Sequence, residues 1–159
     1  HMTMQYLWSK SGSADHDAVS RWVSRHSFGV DDNVWPDSTS CGVILDGKPI
    51  AGFIFHDYKP AAGTIQFSGA ATDKRWSVGP TLHLLYSYMF DGIGCRMVTT
   101  GNSGENKGLH AILRRLGHTE YVIKGAWAEG VDLHFWTLTR DEWAANGIMR
   151  RSRKWAEGN

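Results

Sequence analysis

A handful of side chains stand where they could move protons or shape a site. His56 closes an apolar run over residues 49–56 and is followed by Asp57, while Gln66 and Ser68 lie on the next run, 64–71. Imidazole changes charge near neutral pH, so His56 suits the part of a general base beside Ser68 and Gln66. The plainer reading is a histidine satisfied at a sheet edge. His134 alternates with Leu133 and Phe135 in the run 132–139 and can face an acceptor. Ser103 and His110 follow another apolar run; His110 falls in a helical pattern and reads as a surface residue. Trp35, in a loop, can wall a groove.

Several other chemistries lack their signatures. The sequence has no Cys-x-x-Cys or His-Glu-x-x-His, and its eight histidines are scattered, so no metal is expected. There is no Gly-x-Ser-x-Gly elbow. Gly101-Asn-Ser-Gly104 is glycine-rich but lacks the Lys-Ser/Thr of a phosphate loop. A net charge of +1 does not suit a chain built to coat nucleic acid or a membrane. No apolar run approaches the roughly 20 residues that span a bilayer. No basic segment followed by an apolar core marks a secretory leader, and His1-Met2 reads as a tag remnant. Two cysteines without close spacing suit free thiols in a reducing cytoplasm. The 159 residues, 42% apolar and 21% charged, fit one domain over 1–159. Residues 146–159 form a basic tail. Its Arg150-Arg-Ser-Arg-Lys-Trp155 can hold phosphates and stack on a base, although a frayed, solvated terminus is the plainer reading.

The elements that must position these residues follow from periodicity and turn signals. Residues 4–8 read as a strand, and Ser13 or Asp15 caps a helix over 15–27 with Val19, Trp22, Val23 and His26 on one face. Residues 28–40 form a loop or broken helix. Asp46-Gly47 between the runs 41–45 and 49–56 predicts a hairpin, and 64–71 adds a third strand after a turn at 59–63. Asp73 opens a helical stretch whose stripe is Leu82, Leu85, Tyr86, Met89 and Phe90, ended by Asp91-Gly92. A strand over 95–100 follows, then a loop 101–105. A helix from Asn106 carries Leu109, Ile112, Leu113 and Leu116. Strands over 121–124 and 132–139 turn at Glu129-Gly130, and a short helix begins at 141–143.

This order, with Cys95-Arg-Met-Val, Asn102-Ser-Gly-Glu-Asn106, Leu113-Arg-Arg-Leu-Gly-His118 and the closing run 130–140, resembles the GNAT N-acetyltransferase superfamily from about Met4 to Arg140. The subgroup resembled contains ribosomal-protein N-terminal acetyltransferases and many bacterial and phage relatives. The resemblance implies an α/β (α+β) fold with a mixed sheet of six to seven strands, mostly antiparallel. It also implies a splayed parallel pair formed by 64–71 and 95–100, and about four flanking helices.

It further implies acetyl-CoA as cofactor and direct transfer of its acetyl group to a primary amine in a ternary complex. The backbone of Ser68, Gly69, Ala70 and Ala71 would pair with the pantetheine arm as an added half-strand, which thin side chains would help. Lys74, Arg75, Trp76, Ser77, Val78 and Gly79 would cradle the diphosphate at a helix start. Arg75 matches the family pattern, but Val78 and Pro80 stand where small residues belong. Asn102 and Asn106 would contact the arm, Asn106 serving equally as a plain helix cap. Trp35 and Gln66 would contact the acceptor. His56, Ser68, Ser103 and His134 are the catalytic candidates, because the usual helix tyrosine is replaced by Leu113.

The acceptor would be a protein N-terminus, a lysine or a small amine, and the protein a monomer or homodimer. Two alternatives stand beside this one: a phage-type relative that modifies a nucleobase or DNA, and a GNAT-like binding module without catalysis. The altered phosphate loop and the basic tail favour the first alternative; the missing tyrosine and glycines favour the second.

Overall fold

The computed structural model describes residues 3–158. Seven strands form one sheet in the order β1-β2-β3-β4-β5-β7-β6: β1 Met4–Lys10, β2 Thr39–Leu45, β3 Lys48–Lys59, β4 Thr64–Ala71, β5 Met97–Ser103, β6 Thr119–Ala128 and β7 Val131–Thr139. The helices are α1 Ala14–Phe28, α2 Gly79–Ser87, α3 Lys107–Arg115, α4 Arg140–Ala145 and α5 Gly147–Gly158. The one parallel pairing recorded joins β4 and β5, from Thr64 opposite Met97 to Gln66 opposite Thr99. That ladder takes three of the eight residues of β4, and residues 67–71 run on beyond it. The residues group into two compact units. One holds the chain up to Tyr58 with Phe67–Trp76; the other holds Lys59–Gln66 and the chain from Ser77 onward.

In the first unit, Ser13 caps α1 by accepting the His16 amide, and Gly29 closes it in the left-handed region at φ 70°. Val19 and Val23 pack with Trp35 and Ile54. His26, expected on this apolar face, is exposed, its ring tilted against Trp22 with centroids 4.1 Å apart. It lies one turn past the sheet contact. Asp46-Gly47 makes the expected tight turn between β2 and β3. Residues 51–56 of β3 are all buried, as a central strand covered on both faces requires. His16 is buried within a hydrogen-bond chain. Its Nε2 donates to Ser38 Oγ, which donates to the Trp35 carbonyl, and its Nδ1 accepts from Ser40 Oγ. This chain ties the long loop to β2 and leaves the buried ring satisfied.

Gly69 shows why small residues gather on β4. A Cβ there would lie 2.7 Å from a Phe53 ring carbon and 3.1 Å from the Gly52 carbonyl oxygen. The neighbour includes backbone, so it cannot swing aside. Gly69→Val is expected to lower the unfolding free energy by roughly 1–3 kcal/mol through overpacking; urea midpoints of the two proteins measure this.

In the second unit the α2 stripe is as expected: Leu82, Leu85, Tyr86, Met89 and Phe90 are all buried. The helix does not stop at Asp91-Gly92. It widens into a π turn over Tyr88–Ile93 and closes at Gly94, whose N–H bonds the Met89 carbonyl. Consequently Cys95 and Arg96 precede β5, and Gly101–Ser103, expected as loop, extend it. Cys95 and Cys41 are both free and buried, and burial pushes the Cys41 thiol up to about 12. The basic tail is not frayed. Asn146 caps α5 by accepting the Ile148 and Met149 amides, Met149 is fully buried, and the Arg153 guanidinium lies 4.6 Å over the Trp143 ring. The sequence reading missed this because one buried methionine in a charged run is a weak periodic signal. No helix among the described residues is long and apolar enough to cross a membrane.

One buried group sets an acid limit on stability. His118 donates from Nδ1 to the Leu113 carbonyl, and its Nε2 meets the Tyr86 hydroxyl at 3.0 Å. Burial drives its pKa from 6.5 down to about 4. The unfolded chain therefore binds a proton below pH 6.5 that the folded chain refuses until about pH 4. Stability is full above that window and falls as pH drops through it, by roughly 3 kcal/mol in all. Urea unfolding at pH 7 and pH 4.5 should show this loss, and His118→Gln should reduce the difference.

Candidate active site

β3 and β4 bring His56 and Ser68 together. His56 is 7% exposed, and its Nε2 lies 2.7 Å from Ser68 Oγ. Its Nδ1 lies 2.5 Å from Asp57 Oδ2. Consecutive strand residues normally point to opposite faces. Asp57 escapes that rule because its backbone is left-handed, φ 55°, which an aspartate adopts at a cost. The twist turns its carboxylate back onto the histidine. A carboxylate only accepts, so Nδ1 carries the hydrogen, Nε2 offers its lone pair, and the Ser68 hydroxyl donates to it. The Trp35 ring lies 6.1 Å from His56; it is buried among Val19, Val23 and Ile54 and belongs to the core. Gln66 lies in the part of β4 that pairs with β5, opposite Thr99.

A second polar cluster lies within the other unit. Register puts Asn102 opposite His134 and Trp136 opposite Glu120, so these four share a face of β5, β7 and β6. His134 Nδ1 donates to Glu120 Oε2 at 2.6 Å, and Arg114 grips both oxygens of that carboxylate at 2.9 and 3.0 Å. Arg114 first, then His134, holds the Glu120 carboxyl below its ordinary pKa. His134 Nε2 has no hydrogen-bond partner among the described residues, so its lone pair is available. His110 stacks on His134 at 4.3 Å, nearly parallel. Its Nε2 donates to Asn102 Oδ1 and the Ser103 carbonyl, while its Nδ1 and Asn102 Nδ2 are buried without partners.

His110 is thus fully buried, not the surface residue its helical position suggested. Residue 110 falls on the helix face that covers the sheet. Burial, and then neighbouring His134, lowers its pKa. The ligand atoms of His110, Glu120 and His134 lie within 4.8 Å of one another. Hydrogen bonds to Arg114 and His134 already occupy the carboxylate. We therefore read this cluster as a proton network.

The remaining candidates divide. Ser103 ends β5; its Oγ accepts the Glu105 amide and its carbonyl accepts His110. Asn102 is buried, with its oxygen held by His110 and Trp136 Nε1. Asn106 is exposed and caps α3, accepting the Leu109 amide. Leu113, in the place of the expected tyrosine, is buried core. Lys74–Ser77 form a 3-10 turn. In it Trp76 is buried against Phe53, and Arg75 is clamped on Asp73, whose pKa it lowers to about 2. Val78 is the N-cap of α2 without a side-chain cap bond, and Pro80 sits in the first turn. Gly79 packs on α5: a Cβ there would lie 3.6 Å from the Trp155 ring. Ala70 and Ala71 continue β4 beyond Gly69.

The residues missed by sequence reasoning are Arg114, Glu120 and Trp136. Counting back from the Glu129-Gly130 turn would set Glu120 opposite Thr139. The register shift between Ile123 and Ala128, where Gly125 takes φ 68°, sets it opposite Trp136 instead.

A seven-stranded sheet with one short central parallel pairing and five α-helices is the fold of the GNAT acetyltransferases. Neither a protein-family model nor a curated protein matches the chain. Solved structures do. A GCN5-related N-acetyltransferase from Brucella melitensis superposes with a TM-score of 0.69 at 15% identity, over 94% of this chain and 81% of that one. A probable GNAT-family acetyltransferase from Chromobacterium violaceum gives 0.64 at 16%, over 88% and 90%. The ribosomal-protein-S5-alanine acetyltransferase from Vibrio fischeri gives 0.55 at 13%, over 67% of this chain. This chain spans 63% of that structure and 63% of another, a probable acetyltransferase. At these identities the likeness is one of fold.

Proposed function

We propose that the chain is an acetyl-CoA-dependent N-acetyltransferase acting on a primary amine by direct attack in a ternary complex. The observation that carries the reading is Ser68. It stands on β4 and is hydrogen-bonded to the buried His56. Main-chain groups of that strand, with thin side chains at Gly69, Ala70 and Ala71, suit an extended pantetheine arm. The amine gives up its proton through Ser68 Oγ to His56 Nε2, and Asp57 holds the ring in the needed tautomer. When bound, the coenzyme supplies the activated acetyl thioester. Arg75 is bonded to Asp73 in the 3-10 turn and would have to leave it to reach the diphosphate. The likeness in fold to GNAT acetyltransferases supports the same reading. Two free buried thiols fit a reducing cytoplasm.

One observation favours a nucleic-acid acceptor as the second reading: α5 is an ordered helix that exposes Arg150, Arg151 and Lys154. Thermal shift separates the readings. Stabilisation by acetyl-CoA or CoA supports the first, and added salt-sensitive stabilisation by duplex DNA supports the second. No response to either coenzyme points to a binding module.

A further inference from the structure

Asp57, His56 and Ser68 form a hydrogen-bonded series within a single compact unit, carboxylate to Nδ1 at 2.5 Å and Nε2 to hydroxyl at 2.7 Å. A base for an incoming amine needs only the histidine. This arrangement does more: it fixes the tautomer with a carboxylate and points the free lone pair at a serine hydroxyl. The backbone is bent to achieve it, since Asp57 reaches Nδ1 only through its left-handed φ of 55°. His56 is buried and Ser68 partly exposed, so the base is shielded while the hydroxyl keeps access to solvent-borne reagents. The Asp57 side chain is 58% exposed.

We propose that Ser68 is an activated nucleophile that takes an acyl group from esters and thioesters when no amine is in place. The Ser68 O–H proton passes to His56 Nε2 as Oγ bonds to the acyl carbonyl carbon. The carbon–oxygen or carbon–sulfur bond to the leaving group then breaks, and the leaving alcohol or thiol takes the proton from Nε2. Water next attacks the acyl-serine, giving its proton to Nε2, and the carboxylic acid leaves as Ser68 Oγ regains a proton. The step consumes one ester and one water and needs no other reactant. The second activity is thus hydrolysis of the acyl donor, and its first product is an acyl-serine. Only the identity of a thioester donor in the cell rests on the coenzyme reading. Asp57 acts through His56 and is a positioning residue.

A fluorophosphonate probe tests this, because it phosphonylates activated serines without touching a coenzyme site. Intact-mass and peptide analysis of the folded protein should show one adduct, on Ser68. His56→Ala should slow labelling by at least about 100-fold. Asp57→Asn, an exposed change expected to leave the melting temperature unaltered, should slow it about 10-fold or more, and Asp57→Glu should restore part of the rate. With p-nitrophenyl acetate, Ser68→Ala should lose the hydrolysis that the wild type shows. No adduct on Ser68 in the folded wild type would overturn the proposal, as would labelling indifferent to both His56→Ala and Asp57→Asn. Labelling without any thermal response to CoA would sink the coenzyme reading and leave Ser68 standing. A CoA response without labelling would do the reverse.

Discussion

His56→Gln is expected to cut acetyl transfer by about 100- to 1,000-fold while leaving coenzyme affinity within a factor of about two. The asymmetry follows from geometry. His56 Nε2 meets the Ser68 hydroxyl and its Nδ1 is spent on Asp57, so the ring contributes a lone pair and no coenzyme contact. Glutamine can still hydrogen-bond at one end, which protects the fold, but it cannot carry a proton away from an ammonium. Steady-state kinetics with acetyl-CoA as the varied substrate checks this, read as a fall in kcat at constant KM. A rise in KM with kcat unchanged would place His56 in coenzyme binding instead.

Trp136→Ala should be the most destabilising single change in the unit that holds β5 to β7, by roughly 4 kcal/mol. The side chain is fully buried, its Nε1 donates to Asn102 Oδ1, and the Arg114 guanidinium lies 5.5 Å from its ring centroid. Removal leaves a large cavity beside His110 and takes one of two donors from a buried amide oxygen. Equilibrium urea unfolding measures the loss. Trp136→Phe, which keeps most of the volume but drops the N–H, should recover more than half of it.

The strands and helices were legible in the sequence where periodicity and turn chemistry agreed. Asp46-Gly47, Glu129-Gly130, the Ser13 cap and the Leu82–Phe90 stripe all mark real features. Legibility failed where a π turn or a register shift altered the count. The π turn carried the α2 segment past Asp91-Gly92 to Gly94, and the shift in β6 moved Glu120 by three places. The His56–Ser68 pair was readable because adjacent strands of a meander place such residues side by side. The carboxylate contact was not, because the alternation of side chains predicts that Asp57 points away from His56, and only its left-handed backbone reverses this. The Arg114–Glu120–His134 network needed both the register shift and the α3 face to be known. Its free Nε2 makes His134 the alternative base, and His134→Gln in the same kinetic series would decide between the two histidines.

Acetyl transfer requires first that the coenzyme bind. Isothermal titration of the purified protein with acetyl-CoA is the most direct measurement. One-site, saturable binding in the micromolar range, with a matching rise in melting temperature, is the predicted result. No heat and no thermal shift at millimolar acetyl-CoA would contradict it.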